Sequence, residues 1–482
     1  MELVLDRLDR RPLVEQITNA IIERIERRAL LPGVRLPSIR RLATTIGVSK
    51  FTVIESYDRL VAQGYLTSRP AAGFFVAGRQ AAPALDLSAP DDGRSRAIDP
   101  IWIMRQALTL DDKLIKAGCG WLPGSWLDEP QLRRALRQIA NQPGSQLLEY
   151  GQPLGFAPLR EQLSRRLAGI AIEAAPQNIL LTDSGSQSID LLHRYLVQPG
   201  DTVLVDDPGY FNFIGNLRSH RVQAIGVPRL PDGPDLDRLA ALAAEHRPKL
   251  YLTNAALHNP TGGQLAPAVA HRLLQLAETH DFLIAEDDIF LDFQERPGLR
   301  LAALDQLRRV IYLGSFTKTL SAACRCGFIV ASGARIAAIS DLKLASSFGN
   351  NELAAQLVHR LLVDGSYRKQ VEAIRLRLRQ AMAQVQRRLE ACGLTPWLQP
   401  SEGMFLWMRL PEGLDSADIA RAALTQGVML APGDAFSTSR SCGNFLRFNV
   451  AQSQSQRVTE VLRPLLSKGA MRQIHVSDRS TS

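Results

Sequence analysis

Residues 310–320 read Val-Ile-Tyr-Leu-Gly-Ser-Phe-Thr-Lys-Thr-Leu, and this stretch decides how most of the chain is interpreted. Its first part, residues 310–313, has the apolar and β-branched character of a buried strand. Lys318 follows that strand closely, and Arg325 comes a short distance later. Open α/β sheets bind ligands just beyond the carboxyl ends of their strands. Lys318 is therefore a candidate functional residue, although a lone lysine at such a place is more often a solvated charge.

Four other short apolar segments give this stretch its setting. They are residues 179–181, 202–205, 249–252 and 282–285. They alternate with helical stripes from about residue 98, which predicts a parallel-type sheet covered by helices. After about residue 350 helices dominate, and the apolar segments 404–408 and 445–448 predict a smaller α+β part.

The composition is that of a globular protein: 482 residues, 45% hydrophobic and 22% charged. No apolar run reaches the roughly 18–20 residues that a membrane helix needs, and the first residues lack the apolar core of a secretory signal. The five cysteines are scattered, which fits reduced thiols, and Cys324 and Cys326 lack the spacer of a zinc or redox pair. We expect a cytoplasmic protein with no metal site and no membrane partner.

Residues 1–78 predict a separate block of three helices and a hairpin. The apolar stripe Val14, Ile17, Ile21 and Ile25 predicts the first helix. A second helix is expected over 38–45, and Gly47 makes the turn that follows. A third helix is expected from Ser49, its N-cap, to about residue 63. Residues 65–69 and 73–76 then predict a two-stranded hairpin.

This block is a candidate DNA reader. It holds twelve Lys and Arg against eight Asp and Glu, in a chain whose net charge is +9. Such a bias is compatible with a phosphate backbone as partner. A recognition helix needs a polar, basic first turn and an apolar back face, and residues 48–60 provide both. The predicted DNA contacts are Arg35, Ser38, Arg40, Arg41, Ser49, Lys50, Thr52 and Arg69. Spacing alone leaves an ordinary three-helix surface domain equally open.

The residues themselves narrow that choice. Leu36-Pro37-Ser38-Ile39-Arg40-Arg41-Leu42-Ala43, Gly47-Val48-Ser49-Lys50-Phe51-Thr52-Val53 and Tyr57-Asp58-Arg59-Leu60 closely resemble the GntR-type winged helix-turn-helix. The resemblance covers residues 10–78. It implies binding to double-stranded operator DNA as a dimer, with the bases that are read left open.

The ends of the other strands carry polar groups that complement Lys318. Ser184-Gly185-Ser186 opens a helix, where backbone N–H groups and the helix dipole favour an anion. Tyr210 could stack on a ring, Asn259 offers an amide donor, and Asp287 could pair with a pyridinium nitrogen. Each is weak alone, because capped turns and surface carboxylates are common. Together they are the parts that pyridoxal 5'-phosphate (PLP) chemistry requires.

Over residues 98–468 the chain resembles fold type I PLP enzymes, the aspartate aminotransferase-like class. The motifs that carry the resemblance are His258-Asn259-Pro260-Thr261-Gly262, Glu286-Asp287-Asp288, Ser315-Phe316-Thr317-Lys318 and Arg325-Cys326-Gly327. It implies that Lys318 bonds covalently to PLP, that Asp287 pairs with the pyridine nitrogen and that Asn259 contacts the ring hydroxyl. The implied phosphate ligands are Ser184, Gly185, Ser186, Ser315 and Arg325, with Tyr150 reaching the phosphate of a partner subunit. Arg447 is implied to bind a substrate α-carboxylate.

Two points at this site stay open. The family usually has a tyrosine that donates to the ring oxygen where this chain has Phe290. The missing hydroxyl should raise the proton affinity of bound PLP and puts efficient transamination in doubt. Asp288 is the alternative to Asp287 as partner of the ring nitrogen, although the spacing favours Asp287.

A winged helix followed by an aminotransferase-like domain resembles the MocR subfamily of GntR-type regulators. The expected boundaries are 1–78 for the DNA-binding domain, 79–97 for a linker, 98–468 for the PLP domain and 469–482 for a flexible tail. The PLP domain divides into a large subdomain of about 130–350 and a small one of about 351–468 plus the N-terminal segment. The resemblance implies a domain-swapped, head-to-tail homodimer in which each DNA-reading domain packs against the large domain of the partner subunit.

Three functions compete on this basis. The first is a transcriptional regulator that senses PLP or a small amino-compound effector. The second is a working aminotransferase that converts an amino acid to a 2-oxo acid, with DNA binding secondary. The third is a dimerisation scaffold without cofactor, against which the intact Lys318, Asp287, Asn259, Arg325 and Arg447 argue.

Overall fold

The structure, a computed structural model, describes residues 3, 5–6, 9, 11–77, 99–108, 111, 113–142 and 148–477, with the backbone alone from residue 468 onward. The chain forms two compact units, Met1–Ser95 and Arg96–Ser482. The linker predicted at 79–97 lies outside the described residues. None of the helices in the described ranges combines the length and apolar character that crossing a bilayer requires.

The first unit contains three helices and a hairpin, in the predicted order. These are α1 (Leu13–Glu26), α2 (Ile39–Ile46), α3 (Lys50–Ala62), β1 (Leu66–Arg69) and β2 (Gly73–Val76). Ser38 and Ser49 cap α2 and α3 by accepting the backbone N–H of Arg41 and Thr52. Gly47 ends α2 with φ +67°, a left-handed conformation that glycine adopts at little cost. The turn between α2 and α3 is therefore fixed by local sequence.

The core of this unit is built from the inward faces of its elements. Ile17 and Ile21 of α1 pack with Leu42 of α2 and with Tyr57 and Leu60 of α3. The Tyr57 hydroxyl donates to the backbone oxygen of Pro37 across 2.9 Å, so this buried polar group is satisfied.

The second unit is built on an eight-stranded sheet with the order β3-β10-β9-β8-β7-β4-β5-β6. The strands are β3 (Ile179–Thr182), β4 (Thr202–Asp207), β5 (Gln223–Leu230), β6 (Gly233–Pro234), β7 (Leu250–Thr253), β8 (Leu283–Asp287), β9 (Val310–Ser315) and β10 (Gly327–Val330). The five predicted strands are present, and four of them, β4, β7, β8 and β9, pair in parallel. The sheet is mixed rather than parallel-type throughout, because β10 runs antiparallel to both β3 and β9.

Helices cover this sheet, and apolar side chains pack on both of its faces. The first helix, α4 (Pro100–Leu108), packs instead in a separate cluster with Phe211, Trp407 and Phe436. The covering helices are α5 (Glu129–Ala140), α6 (Ala157–Ala168), α7 (Gly185–Leu196), α8 (Phe211–Ser219), α9 (Leu236–His246), α10 (Pro267–Thr279), α11 (Leu301–Asp305), α12 (Gly333–Ser347) and α13 (Glu352–Val363). The strand-to-helix turns of β3, β4 and β8 place polar residues along the carboxyl edge of the sheet.

A smaller α+β part follows, with an antiparallel sheet in the order β11-β12-β14-β13. Its elements are α14 (Ser366–Glu390), β11 (Thr395–Pro396), β12 (Phe405–Arg409), α15 (Ser416–Leu424), β13 (Ala431–Pro432), β14 (Phe445–Asn449) and α16 (Gln456–Ser477). The sequence predicts a flexible tail from residue 469, but α16 continues through that point to Ser477. Residues 478–482 lie outside the described residues.

Candidate cofactor site and DNA-reading surface

Lys318 lies just past β9 and is partly buried. Its Nζ donates to the backbone oxygen of Gly120 across 2.7 Å. Burial lowers the pKa of Lys318 to about 8, because a charged ammonium loses solvation in this environment. At neutral pH the ammonium form still predominates, but the neutral, nucleophilic amine is far more populated than in a solvated lysine.

Asp287 ends β8 and is buried. Its Oδ1 accepts the backbone N–H of Ile289 at 3.3 Å, while Oδ2 has no hydrogen-bond partner among the described residues. Burial raises the pKa of Asp287 to about 7, and the charge of nearby Lys318 opposes that rise. A buried carboxylate oxygen without a partner is costly unless a cationic or N–H group meets it.

Asp288, the alternative, is fully engaged elsewhere. Its two oxygens accept Nε and Nη2 of Arg300, and Oδ2 also accepts the hydroxyl of Tyr312. This arrangement supports Asp287 as the carboxylate that faces a ligand. Asn254, which the sequence interpretation missed, donates from Nδ2 to the backbone oxygen of Asp287 and fixes the end of β8.

Asn259 is held in a buried loop by its neighbours. His258 Nδ1 lies 2.8 Å from Thr261 Oγ1, and its Nε2 lies 3.3 Å from the Asp206 carboxylate. Asn259 Oδ1 accepts Nη1 of Arg447 across 2.7 Å. Because the oxygen is used in this way, Nδ2 is the side-chain group of Asn259 that can donate to a ligand.

Arg447 lies in β14 with no exposed surface. Its Nη2 donates to the backbone oxygen of Gly118, and its Nε has no partner among the described residues. The rings of Phe405, Phe436 and Phe211 lie 4.4, 4.7 and 5.7 Å from its Cζ. Burial lowers the pKa of Arg447 to about 10. A guanidinium held rigidly in an aromatic setting suits a carboxylate ligand.

Close backbone packing brings the predicted phosphate ligands together. A Cβ on Gly327 would lie 2.7 Å from the backbone carbon of Ser184, and one on Gly185 would lie 3.9 Å from Cβ of Ser315. The start of α7 therefore lies against the ends of β9 and β10. Ser184 caps α7 by accepting the N–H of Gln187, and the exposed Ser186 lies 3.3 Å from Asn212.

The hydroxyl of Ser315, at the end of β9, is hydrogen-bonded within its own loop. It bonds to Thr317 Oγ1 at 2.9 Å and accepts the Thr317 N–H, and the sequence interpretation missed Thr317. Arg325 is exposed and has φ +36°, a conformation that non-glycine residues rarely adopt and that clusters at functional sites.

The two tyrosines predicted to contact PLP lie in different surroundings: Tyr210 is partly buried, whereas Tyr150 is exposed. Tyr210 packs on Phe211 and Phe213, with ring centroids 5.1 and 5.3 Å away, and burial together with the negative charge of Asp287 raises the pKa of its hydroxyl. Tyr150 is instead 82% exposed and packs on Phe348, with ring centroids 5.1 Å apart. Tyr150 therefore contributes nothing to the buried group within one chain. Phe290 is buried against Phe293 and Phe405.

The predicted DNA contacts all lie in the first unit. Seven of them are exposed, and Thr52 is partly buried. The hydroxyls of Ser38 and Ser49 serve as helix caps, so their first role is structural. The backbone of Arg35 pairs antiparallel with that of Phe75 in β2. The Cζ atom of Arg69 lies 4.6 Å from the centroid of the Phe75 ring. Lys50 and Arg40 stand at the start of α3 and of α2, where helix N-termini add to their positive charge.

Comparison with known proteins finds a matching family for each of the two units. The family described as "Aminotransferase class I and II" matches residues 118–465, and "Bacterial regulatory proteins, gntR family" matches residues 13–76. The chain is 29% identical to the uncharacterized HTH-type transcriptional regulator YdcR of Escherichia coli, over 94% of this chain and 97% of YdcR. It is also 29% identical to the probable rhizopine catabolism regulatory protein MocR of Rhizobium meliloti, over 89% of this chain and 88% of MocR.

A solved structure shows the same fold in the second unit. It is LysN, the α-aminoadipate aminotransferase of Thermus thermophilus, complexed with N-(5'-phosphopyridoxyl)-L-leucine. The TM-score is 0.69 at 27% identity, and the match covers 76% of this chain and 95% of LysN. The chain therefore belongs to the aminotransferase class I and II family and carries a gntR-family helix-turn-helix at its N-terminus, the combination found in MocR-type DNA-binding regulators.

Proposed function

We propose that the protein is a PLP-dependent transcriptional regulator whose aminotransferase-like domain senses PLP or an amino compound that reacts with it. The observation that carries the proposal is the unpartnered, buried Oδ2 of Asp287 within electrostatic reach of Lys318. This pair fits a ligand that combines a ring N–H with a carbonyl carbon. Its partner would be double-stranded operator DNA, which places its action in the cytoplasm.

The residues present fit PLP as a whole. Lys318 would bond to it, Asp287 would hold its ring nitrogen, Asn259 would donate to its ring hydroxyl and Tyr210 would cover its ring. The phosphate would lie among Ser184, Gly185, Ser186, Ser315 and Arg325. PLP, when bound, supplies an electron sink for reactions of amino compounds.

The side chains have separate tasks in recognising an effector. The lowered pKa of Lys318 raises the fraction of neutral amine that is available to react with a carbonyl carbon. A cationic ring nitrogen would favour the ionised form of Asp287, against the effect of burial. Arg447 would bind the carboxylate of an amino-acid effector, and the three phenylalanine rings around it would exclude water.

Such a ligand regulates DNA binding only if it binds two states of the protein unequally. We expect the change to pass through residues 79–97, which join the two units. A coupling of about 5–150-fold in DNA affinity is the usual range for regulated proteins.

We also propose that the protein is a homodimer. Tyr150 and Phe348 are 82% and 68% exposed and pack on each other, and Leu148, two residues before Tyr150, is 99% exposed. Contiguous exposed apolar groups of this kind can mark an interface. In the dimer, Tyr150 would reach the phosphate of the partner subunit. The head-to-tail packing of DNA-reading domains stays a prediction. Sedimentation velocity should show a dimer that dissociates in Phe348→Asp but not in Leu376→Asp, a control at an exposed leucine of α14.

The regulatory function is tested by measuring DNA affinity with and without PLP. Duplexes selected from a random library by the full-length protein serve as probes, and fluorescence anisotropy gives the dissociation constants. PLP, alone or with amino acids, should change the wild-type affinity at least about fivefold and leave Lys318→Ala unchanged. The exposed Lys369→Ala is the matched control and should respond like the wild type. Equal affinities under every condition would support the scaffold instead.

A catalytic aminotransferase is the second candidate. It is favoured by the similarity to LysN and by Arg447, whose setting suits a substrate carboxylate. Incubation with an amino acid and a 2-oxo acid distinguishes the two. Many turnovers per site would establish an enzyme, whereas a single conversion of bound PLP, or none, fits a sensor.

A further inference from the structure

Phe51 is the second residue of α3 and is 83% exposed. The buried face of this helix is formed by Val53, Ser56, Tyr57 and Leu60, and Phe51 points away from it. Ile54, one turn later, is 37% exposed on the adjoining surface. Phe51 therefore contributes little to the core of its unit, and a fully solvated phenyl ring is unfavourable by its apolar area.

The position of Phe51 within the helix-turn-helix indicates DNA as its ligand. α3 is the second helix of the helix-turn-helix, and the N-terminal residues of that helix contact base edges in the major groove. Lys50 precedes Phe51, and the exposed Arg40 and Arg41 of α2 lie on the same unit. This cationic surrounding suits a polyanionic partner better than an apolar protein surface.

The chemistry of the side chain narrows the partner further. A phenyl ring has no donor or acceptor to pair with base nitrogens or oxygens. The apolar group that standard base pairs present in the major groove is the 5-methyl group of thymine. We propose that Phe51 reads a thymine in each operator half-site by packing on this methyl group. The inference rests on the proposed DNA-binding function and specifies one base that the protein recognises.

The experiment isolates the methyl group. The full-length, PLP-loaded protein first selects duplexes from a random-sequence library. Each thymine of the selected site is then replaced by deoxyuridine, which lacks only the 5-methyl group, and dissociation constants are measured by fluorescence anisotropy. The proteins compared are the wild type, Phe51→Ala and Leu31→Ala. Leu31 is 55% exposed on the same unit, outside α2 and α3, and serves as the matched control.

At one thymine per half-site, removal of the methyl should weaken the wild type about fourfold, the value of one buried carbon group. The same replacement should weaken Phe51→Ala less than about twofold, and Leu31→Ala should behave like the wild type. The expected result is therefore that the loss of affinity caused by removing the methyl group depends on the presence of the Phe51 ring.

Three results would overturn the proposal. The first is a selected site at which no deoxyuridine replacement distinguishes Phe51→Ala from the wild type. The second is a loss of dimerisation in Phe51→Ala without any change in methyl dependence, which would assign Phe51 to a contact between copies. The third is failure of the wild type to select any sequence, in which case the proposed operator binding fails as well.

Discussion

Arg447 donates from Nη1 to Oδ1 of Asn259 across 2.7 Å, so the predicted carboxylate site and the predicted ring-hydroxyl site share one hydrogen bond. The two residues come from different parts of the sheet system: Asn259 follows β7, and Arg447 lies in β14 of the smaller part. A change in the position of either side chain therefore affects the other. Under the proposed function, this bond would couple recognition of an amino acid to the contact with the PLP ring.

We expect Arg447→Lys to weaken binding of amino acids at least about tenfold, because charge-assisted hydrogen bonds contribute about 1.5–3 kcal/mol each. The measurement is a spectral titration of the PLP-loaded protein with amino acids and with the decarboxylated amines that carry the same side chains. The amines should lose little affinity. Arg409→Lys, an exposed arginine of β12, is the control. Equal losses for acids and amines would contradict a carboxylate role.

The sequence names candidate site residues because they follow strands with recognisable patterns. Lys318, Asp287 and Asn259 each follow an apolar segment, so local order makes them candidates, and the family motifs imply their roles. The choice between Asp287 and Asp288 is different. Spacing favours Asp287, and the bonds of Asp288 to Arg300 and Tyr312 add support that no local sequence pattern encodes.

The direction of a strand within the sheet also cannot be predicted from the local sequence. Residues 327–330 are apolar enough to form a strand, but only pairing with β3 and β9 shows that β10 runs antiparallel. β5 was missed because Gly226 and Pro228 interrupt its alternation, and such residues usually indicate a turn. The contact of Arg447 with Gly118 joins the two ends of the domain, and no spacing rule predicts it.

The stability of the cofactor-free protein should depend on pH through Asp287. Burial raises the pKa of this carboxyl from about 4 to about 7. Between these values the folded state binds more protons than the unfolded state, so stability falls as pH rises. Asp287→Asn cannot titrate, so from about pH 5 to about pH 8 it should gain on the order of 1–3 kcal/mol relative to the wild type.

Thermal unfolding of both proteins without PLP measures this difference. Burial also raises the pKa of Glu286 to about 7, but this effect is common to both proteins and cancels. Asp418→Asn, whose carboxylate side chain is 78% exposed, should give a curve parallel to the wild type. If the Asp287→Asn curve is also parallel, Asp287 does not titrate in this range.

Phe290→Tyr should restore a donor beside the ring oxygen of PLP. A hydrogen bond to the ionised oxygen favours the deprotonated chromophore, so the pKa of the visible absorbance band should fall by about one unit, the equivalent of one net hydrogen bond. A spectral titration of the PLP-loaded protein over pH provides the measurement. Phe293→Tyr places the same hydroxyl on a neighbouring buried ring. Equal shifts in both variants would show that position 290 has no special relation to the ring oxygen.

Lys50→Ala should reduce the salt dependence of DNA binding. Each phosphate contact that is lost lowers the slope of log K against log salt by about 0.9. Affinity should therefore fall most at low salt, while the preferred sequence stays the same, because a phosphate contact carries no base information. Arg28→Ala removes an exposed charge after α1, outside the predicted contacts, and should leave the slope unchanged. A Lys50→Ala protein with an unaltered slope but a changed preferred sequence would instead place Lys50 on a base edge.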